Sequence, residues 1–274
     1  MAAFPERRVS RMAEWARRVS AFSLVLFATA GVGHRYGMVE TVALLWTLAL
    51  VAALALLGLL LAAGGFAQLW RHGAKAGKAS LAATLLSLFV LVPYAAGVWL
   101  YARLPALTDI STDLEDPPRF IAAARARTPQ MNPIVPISPQ AADLQMRFYP
   151  HLTGRRLDAS VDRVLGALGP VIAARGWKVR GALPTSALAA EISIEMEAPT
   201  ILLRYPADAV VRLIDEEVAT YVDMRMASRY APHDLGNNAR RIEAFLGDLA
   251  AELERQSLQI IDIPPSDGSE DAVD

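Results

Sequence analysis

Arg225 and Arg229 fall on one side of an alternating stretch, Val218 to Tyr230, with Tyr221 and Asp223, while Val218, Val222, Met224 and Met226 take the other side. At about 3.3 Å of rise per residue, the two arginines stand roughly 13 Å apart and Asp223 about 6.6 Å from Arg225. A planar guanidinium recognises carboxylate or phosphate through two parallel hydrogen bonds. This stripe, joined by Arg241 from the following helix, is a candidate grip for an anionic ligand or for the carboxylates of an envelope protein. The competing reading pairs the same arginines with Glu191, Glu195 or Asp223 across a sheet, at about 0.2–1 kcal/mol per exposed pair.

Asp234-Leu235-Gly236-Asn237-Asn238 leads into the last helix, where Asp234 and Asn238 can accept hydrogen bonds from first-turn amides. The same amides, with Arg240 or Arg241 nearby, make a candidate anion site. Ser228, His233 and Asp234 have the residue types of a nucleophile, base and orienter. Adjacent His and Asp in a turn rarely face each other, however, and no nucleophile-elbow sequence surrounds the serine, so no catalytic residue is assigned. His34, His72, His151 and His233 show no metal-ligand spacing, and the absence of cysteine excludes disulfides and thiolate metal sites. No cofactor is expected: Gly31-Val-Gly33 lacks the rest of a phosphate loop, and Gly64-Gly65 reads as close packing in a membrane helix.

The elements that must position these residues follow from periodicity. Val161, Val164, Leu165, Leu168, Val171 and Ile172 predict a helix over about 159–175, capped by Asp158 or Ser160, with Gly169-Pro170 bending its end and Gly176 stopping it before Trp177. A strand starts there. Residues 188–196 alternate, with Leu188, Ala190, Ile192, Ile194 and Met196 opposite Glu191, Ser193 and Glu195. Further strands are expected at Thr200 to Tyr205, Ala209 to Ile214 and Val218 to Tyr230, the last two joined in a hairpin at residues 215–217. Ile242, Phe245, Leu246, Leu249 and Leu253 then form the apolar stripe of a terminal helix. The order predicts an α+β domain over 140–262, mainly antiparallel with flanking helices and a core sufficient to fold alone.

Charge divides the chain. Of 27 Lys/Arg and 28 Asp/Glu, residues 1–101 hold 9 and 3, leaving 18 and 25 for the rest, so the parts carry +6 and −7. A net-negative outer part argues against nucleic acid. No charge interrupts Thr41 to Trp70, whose first 26 residues contain ten leucines, and Ala79 to Ala102 is a second uncharged run; each exceeds the roughly 20 residues that cross a bilayer. Val19 to Gly33 is shorter and needs snorkelling flanks, such as His34 and Arg35, to serve as a helix. The expectation is a three-helix transmembrane region within 1–103, at about 15–35, 41–66 and 79–101. A cleaved signal peptide ending near Ala28-Thr29-Ala30 is the rival for the first segment. The outcome for topology is the same. Arg7, Arg8, Arg11, Arg17 and Arg18 precede the first helix, and Arg71, Lys75 and Lys78 lie between the next two. Positive charge favours the cytoplasm, which predicts a multi-pass inner-membrane protein with its N-terminus in the cytoplasm and its C-terminal part in the periplasm. No ionisable residue lies deep in the helices, which argues against a pump or channel. Pro93 is expected to kink the third helix, with Thr84 or Ser87 compensating.

Seven prolines between Pro105 and Pro139 predict an extended connector over 104–139, and residues 263–274 read as a disordered acidic tail. Two stretches carry a resemblance: Leu104-Pro-Ala-Leu-Thr-Asp-Ile-Ser-Thr-Asp-Leu-Glu-Asp-Pro-Pro-Arg-Phe120, and Val222-Asp-Met-Arg-Met-Ala-Ser-Arg, continuing through Asp234-Leu-Gly-Asn-Asn-Ala-Arg-Arg-Ile242. Together they resemble domain of unknown function 1499 (DUF1499), in the bacterial form with three preceding membrane helices. Asp223, Arg225, Ser228, Arg229, Asp234, Gly236, Asn238 and Arg241 match that family's pattern, while Met226 stands where it has serine. The family implies no established activity. The resulting expectation is a membrane protein displaying a periplasmic ligand- or partner-binding domain without catalysis; the alternatives are an envelope hydrolase and a structural subunit of a membrane complex.

Overall fold

The computed structural model describes residues 8–184, 186 and 189–261 and divides into two compact units: residues up to Leu104 with Thr200–Tyr205, and Pro105–Pro199 with the chain from Pro206 onward. The tail expected at 263–274 and Leu188 of the expected strand lie outside the described residues.

The first unit contains α1 (Arg11–Arg35), α2 (Thr41–His72) and α3 (Gly77–Arg103), each packed on the other two. Leucines and aromatic residues point outward, among them Leu60, Leu85 and Phe89, while the helices meet through small residues: Ala16, Ala62 and Ala83 form one buried cluster, and Val51, Ala55 and Val90 another. Ser20 and Ser87 share a 2.9 Å hydrogen bond, and Ser23 donates to the Val51 carbonyl at 2.9 Å. This inside-out distribution suits helices surrounded by apolar solvent, where close backbone approach and interhelical hydrogen bonds replace the hydrophobic effect. Gly58 lies against Ser20 and Ser87, where any Cβ would collide with both hydroxyls. Two helices, α2 and α3, are long and apolar enough to cross a membrane; α1 does not meet that measure, because Arg11, Glu14, Arg17 and Arg18 occupy its first turns. Helix α3 continues through Pro93. Neither expected hydroxyl serves the carbonyl that Pro93 frees, since Thr84 donates to Ser80 and Ser87 pairs with Ser20.

The second unit is a six-stranded antiparallel sheet in the order β1-β6-β5-β4-β3, with β2 also on β6. Its strands are β1 (Asp109–Ser111), β2 (Arg155–Leu157), β3 (Lys178–Val179), β4 (Glu191–Glu197), β5 (Ala207–Asp215) and β6 (Thr220–Ser228). Helices α4 (Ala122–Arg125), α5 (Pro139–Phe148), α6 (Val161–Ala174) and α7 (Asn237–Ile261) complete it. One face of the sheet, including Ala209, Val211, Leu213, Val222, Met224 and Met226, packs on Val164, Leu165 and Leu168 of α6 and on Ile242, Phe245 and Leu249 of α7. Each of these helices presents its apolar stripe to the sheet.

Two expectations change. Thr200–Tyr205 is a turn joining β4 to β5, because the chain must reverse there for the two strands to pair antiparallel. Val218 likewise sits exposed in the β5–β6 turn, outside the buried face. The larger difference concerns residues 104–139. Residues 105–138 form β1, α4 and an irregular strap within the second unit, and Ile110 and Leu107 enter the core. Phe120, Ala123 and Ile134 cover the second face of the sheet at Val210 and Ala227. Proline kept this segment out of long helices but did not keep it off the fold. A fragment starting at Pro139 would lose β1 and the strap, stripping Leu107 and Ile110 from the core, uncovering Val210 and Ala227 and breaking the Arg225–Asp109 and Arg212–Asp116 pairs, against a total stability of about 5–15 kcal/mol. The fragment 105–261 is therefore expected to melt cooperatively by circular dichroism, and 139–261 to show no cooperative transition.

Candidate functional site

The face of the sheet away from α6 and α7 carries charges in positions that alternation alone would leave in water. Cross-strand register sets Asp208 opposite Ala227, Val210 opposite Arg225 and Arg212 opposite Asp223. All of these are buried, because the strap lies across them. Buried charge needs an opposite charge, which three nodes supply, and full hydrogen bonding, in which they differ.

At the first node, Arg212 Nε lies 3.1 Å from both Asp223 oxygens and its Nη2 2.6 Å from Oδ2. Into the strap, Nη1 donates to the Asp116 carboxylate at 2.7 Å, and Nη2 also reaches the Asp116 carbonyl at 2.7 Å and Asp113 at 3.3 Å. Hydrogen bonding to Asp223 raises the Arg212 pKa above its usual value despite burial. At the second, Arg225 makes a fork with Asp109, Nε to Oδ1 at 2.9 Å and Nη2 to Oδ2 at 2.8 Å, and also donates to the Val135 carbonyl at 3.0 Å. Its guanidinium lies over the Phe120 ring, 5.4 Å from the centroid. Between these nodes Thr112 exchanges hydrogen bonds with the Met224 backbone, and Glu195 accepts from the amides of Ile121, Ala122 and Ala123 at 2.6, 2.9 and 2.7 Å, capping α4 from β4.

The third node has a different balance. Asp208, 1% exposed, receives Arg229 through Nε at 3.0 Å and Nη2 at 2.6 Å, Arg180 at 3.0 Å and Arg127 at 3.0 Å. Glu197 adds contacts to Arg180 at 2.8 Å and Arg229 at 3.0 Å. Three guanidinium groups thus share two carboxylates. Arg127 Nε and Nη1 and Arg180 Nε are buried and, among the described residues, donate to no acceptor. Burial pushes the Arg127 pKa below its ordinary value, and the Arg229 and Arg180 charges add to that push against the pull of Asp208. For Arg229, the Asp208 and Glu197 carboxylates outweigh burial and raise the pKa. Arg180, Arg229 and Glu197 retain partly exposed side chains, so the node opens to solvent on their side.

The residues singled out from the sequence have separate sets of partners. Arg225 is committed to Asp109 rather than to Glu191, Glu195 or Asp223, and Arg229 to Asp208 and Glu197. Asp234 accepts from Gly236 N at 2.9 Å and Asn238 N at 2.8 Å, and Asn238 Nδ2 donates to the Thr108 carbonyl at 2.9 Å and Ser228 Oγ at 3.0 Å. These bonds cap α7 and tie it to β6 and to the strap. Arg241 donates to the Ala198 and Pro199 carbonyls at 2.6 and 3.0 Å and stacks on Trp177; burial and the nearby Arg175 lower its pKa to about 10. His233 Nδ1 accepts from Leu235 N at 2.8 Å, so Ser228, His233 and Asp234 take part in a turn and a cap. Sequence reading missed Asp208 and Arg212, which stand as isolated charges inside an otherwise apolar strand; that isolation was the available signal. Arg127 and Arg180 lie in loops, where no periodicity marks them.

A cavity of about 200 Å³ lies between α5 and α7, lined by Tyr149, His151, Leu152, Ala239, Arg240 and Glu243 among others. It is smaller than the roughly 300–1,000 Å³ of most small-molecule sites. Burial raises the pKa of Tyr149, away from the neutral range useful to a general acid or base. Among the described residues, no group of His, Asp and Glu has the arrangement of a metal site.

The family model described as protein of unknown function (DUF1499) matches residues 109–249, just over half of the chain. No curated protein and no solved structure matches it.

Removing the Asp208 charge leaves three guanidinium groups, that of Arg127 buried, with one partly exposed carboxylate. Asp208→Asn is expected to cost about 3–5 kcal/mol in chemical denaturation. Arg225→Lys keeps the charge but loses the fork, and should cost about 1–3 kcal/mol. Wild-type stability in either variant would refute the structural role of its node.

Proposed function

The chain belongs to the DUF1499 family, and on that premise we propose that it is a three-pass inner-membrane protein whose periplasmic α+β domain binds an anionic ligand, or a partner's carboxylates, without catalysis. The third node carries this reading. Its surplus guanidinium charge and unused buried N–H donors match an incoming carboxylate or phosphate, and a buried donor without an acceptor costs about 1–3 kcal/mol that such a ligand would recover. Arg229 is the one residue of the sequence-predicted stripe in that node. Arg225 supports it indirectly, by fixing the strap that carries Arg127.

The membrane assignment for α1 rests on packing. Ala13, Ala16, Ser20, Ser23, Ala30 and Gly33 form a buried face of small residues, and Phe22, Val25 and Val32 point outward. The N-terminal segment also pairs with the α2–α3 loop: Lys75 N donates to the Arg8 carbonyl at 3.0 Å, and Val9 bridges Lys75. The two basic segments therefore lie together, at the end that the positive-inside rule assigns to the cytoplasm.

Two measurements test this. A phosphatase reporter that requires the periplasm, fused after Asp274, is expected to be active, and a cytoplasmic reporter there inactive; the reverse pattern would refute the orientation. For the ligand, the detergent-solubilised full chain is expected to melt at a higher temperature as phosphate or succinate replaces chloride at constant ionic strength. Arg180→Gln, which removes one donor from the open side of the node, should weaken that response about tenfold or more. An identical response in the variant, or none in wild type, would sink the anion site.

A further inference from the structure

The turn Thr200–Tyr205 groups with the helices of the first unit, although β4 and β5 on either side of it belong to the second. It is internally closed, with Thr200 N donating to the Tyr205 carbonyl at 3.0 Å and Tyr205 N to Thr200 Oγ1 at 2.9 Å. At its tip stand Ile201 and Leu202, 81% and 78% exposed. Turns in water favour Gly, Asn, Asp, Ser and Pro at such places, so two adjacent large aliphatic side chains call for another solvent.

The carbonyl oxygens of the tip already have partners. Arg35 Nη1 donates to the Ile201 and Leu202 carbonyls at 2.5 and 2.8 Å, and His34 Nδ1 pairs with the Leu203 carbonyl at 2.7 Å while Nε2 meets Thr41 Oγ1 at 3.1 Å. Three successive carbonyls are thus taken by side chains from the end of α1. For its acceptors, the turn thus meets the condition for leaving bulk water, because an apolar medium offers no replacement hydrogen bonds. Leu203 also packs beside Gly31 on α1. The same end of the helix group displays Tyr36, Met38 and Trp46, all largely exposed, as expected of a membrane–water interface. His34 and Arg35, which by sequence alone read as snorkelling flanks, act here as a clamp on the turn.

We propose that this turn is a lipid-contacting tip, with the Ile201 and Leu202 side chains entering the outer interfacial layer of the bilayer beside α1. The inference rests on the reading that the first unit spans a membrane, and the turn is held to the end of α1 that displays Tyr36 and Met38. No new contact with protein is required, and the occupant is the lipid itself.

The chain contains no cysteine, so single substitutions give uniquely labelled full-length protein. Leu202→Cys, Leu60→Cys on the outward face of α2 and Val218→Cys in the β5–β6 turn, each at an exposed site, would carry an environment-sensitive fluorophore in phosphatidylcholine–phosphatidylglycerol nanodiscs. Lipids spin-labelled near the headgroup or deep in the acyl chain would then be added. The label at residue 202 is expected to shift to shorter wavelength and to be quenched more by the shallow than by the deep spin label, residue 60 to be quenched by lipid spin labels generally, and residue 218 by neither. Quenching at 202 no greater than at 218, with 60 quenched, overturns the lipid tip alone. An unquenched residue 60 overturns the membrane reading and the tip with it.

Discussion

A sheet can bury both faces only if every charge on the second face finds a partner, and this constraint shapes the second unit. Arg212, Asp223 and Arg225 lie on adjacent strands with almost no access to water. In a low-dielectric interior, an unpaired ion at any of these positions would cost several kcal/mol, a large share of what a domain has in total. The partners come mainly from the segment before the sheet: Asp109, Asp113 and Asp116. The strap is therefore a structural part of the sheet's second layer, and its prolines and acidic residues act together. Proline restricts the conformations available to the free chain, and the carboxylates give the restricted chain a defined place to bind.

This accounts for much of the motif that marks the family. Asp109, Thr112, Asp113, Asp116 and Phe120 meet Arg212, Met224 and Arg225, while Asp234 and Asn238 cap α7 and join it to β6 and to the strap. A charged motif invites a catalytic or ligand-binding reading, yet most of these groups have their hydrogen-bonding capacity used by one another. The Asp208 node departs from that pattern, having more guanidinium than carboxylate and donors left over. Structural pairing and binding capacity can thus be separated by counting charges and acceptors node by node.

The helical unit obeys the opposite rule. Its large apolar residues face out and its alanines, glycines and serines face in, as packing requires where the solvent is lipid and burial of leucine provides no net drive for association. Serine pairs such as Ser20 and Ser87 set the lateral register of the helices, and Gly58 permits the approach. One chain therefore contains two solutions to the packing problem, large apolar residues facing in within one unit and out within the other.

Hydropathy made the apolar helices legible, because a run such as Thr41 to Trp70 has few other physical meanings, and period-3.6 and period-2 patterns located α6, α7 and the central strands. Local chemistry was sufficient there, down to the stripe of Ile242, Phe245 and Leu249 and the cap at Asp234. What the sequence could not determine was the partner of each charge. Alternation placed Arg225 and Asp223 on the same face but did not reveal that a segment more than a hundred residues upstream would cover that face, turning an expected solvent-exposed stripe into a buried ion-pair network. Nor did it distinguish a strand from a turn at Thr200–Tyr205, where the residues are apolar in either case. Long-range pairing decided both outcomes: the register of β5 on β6 fixes where the guanidinium groups point, and only the folded chain brings Asp109, Asp113 and Asp116 within reach of them.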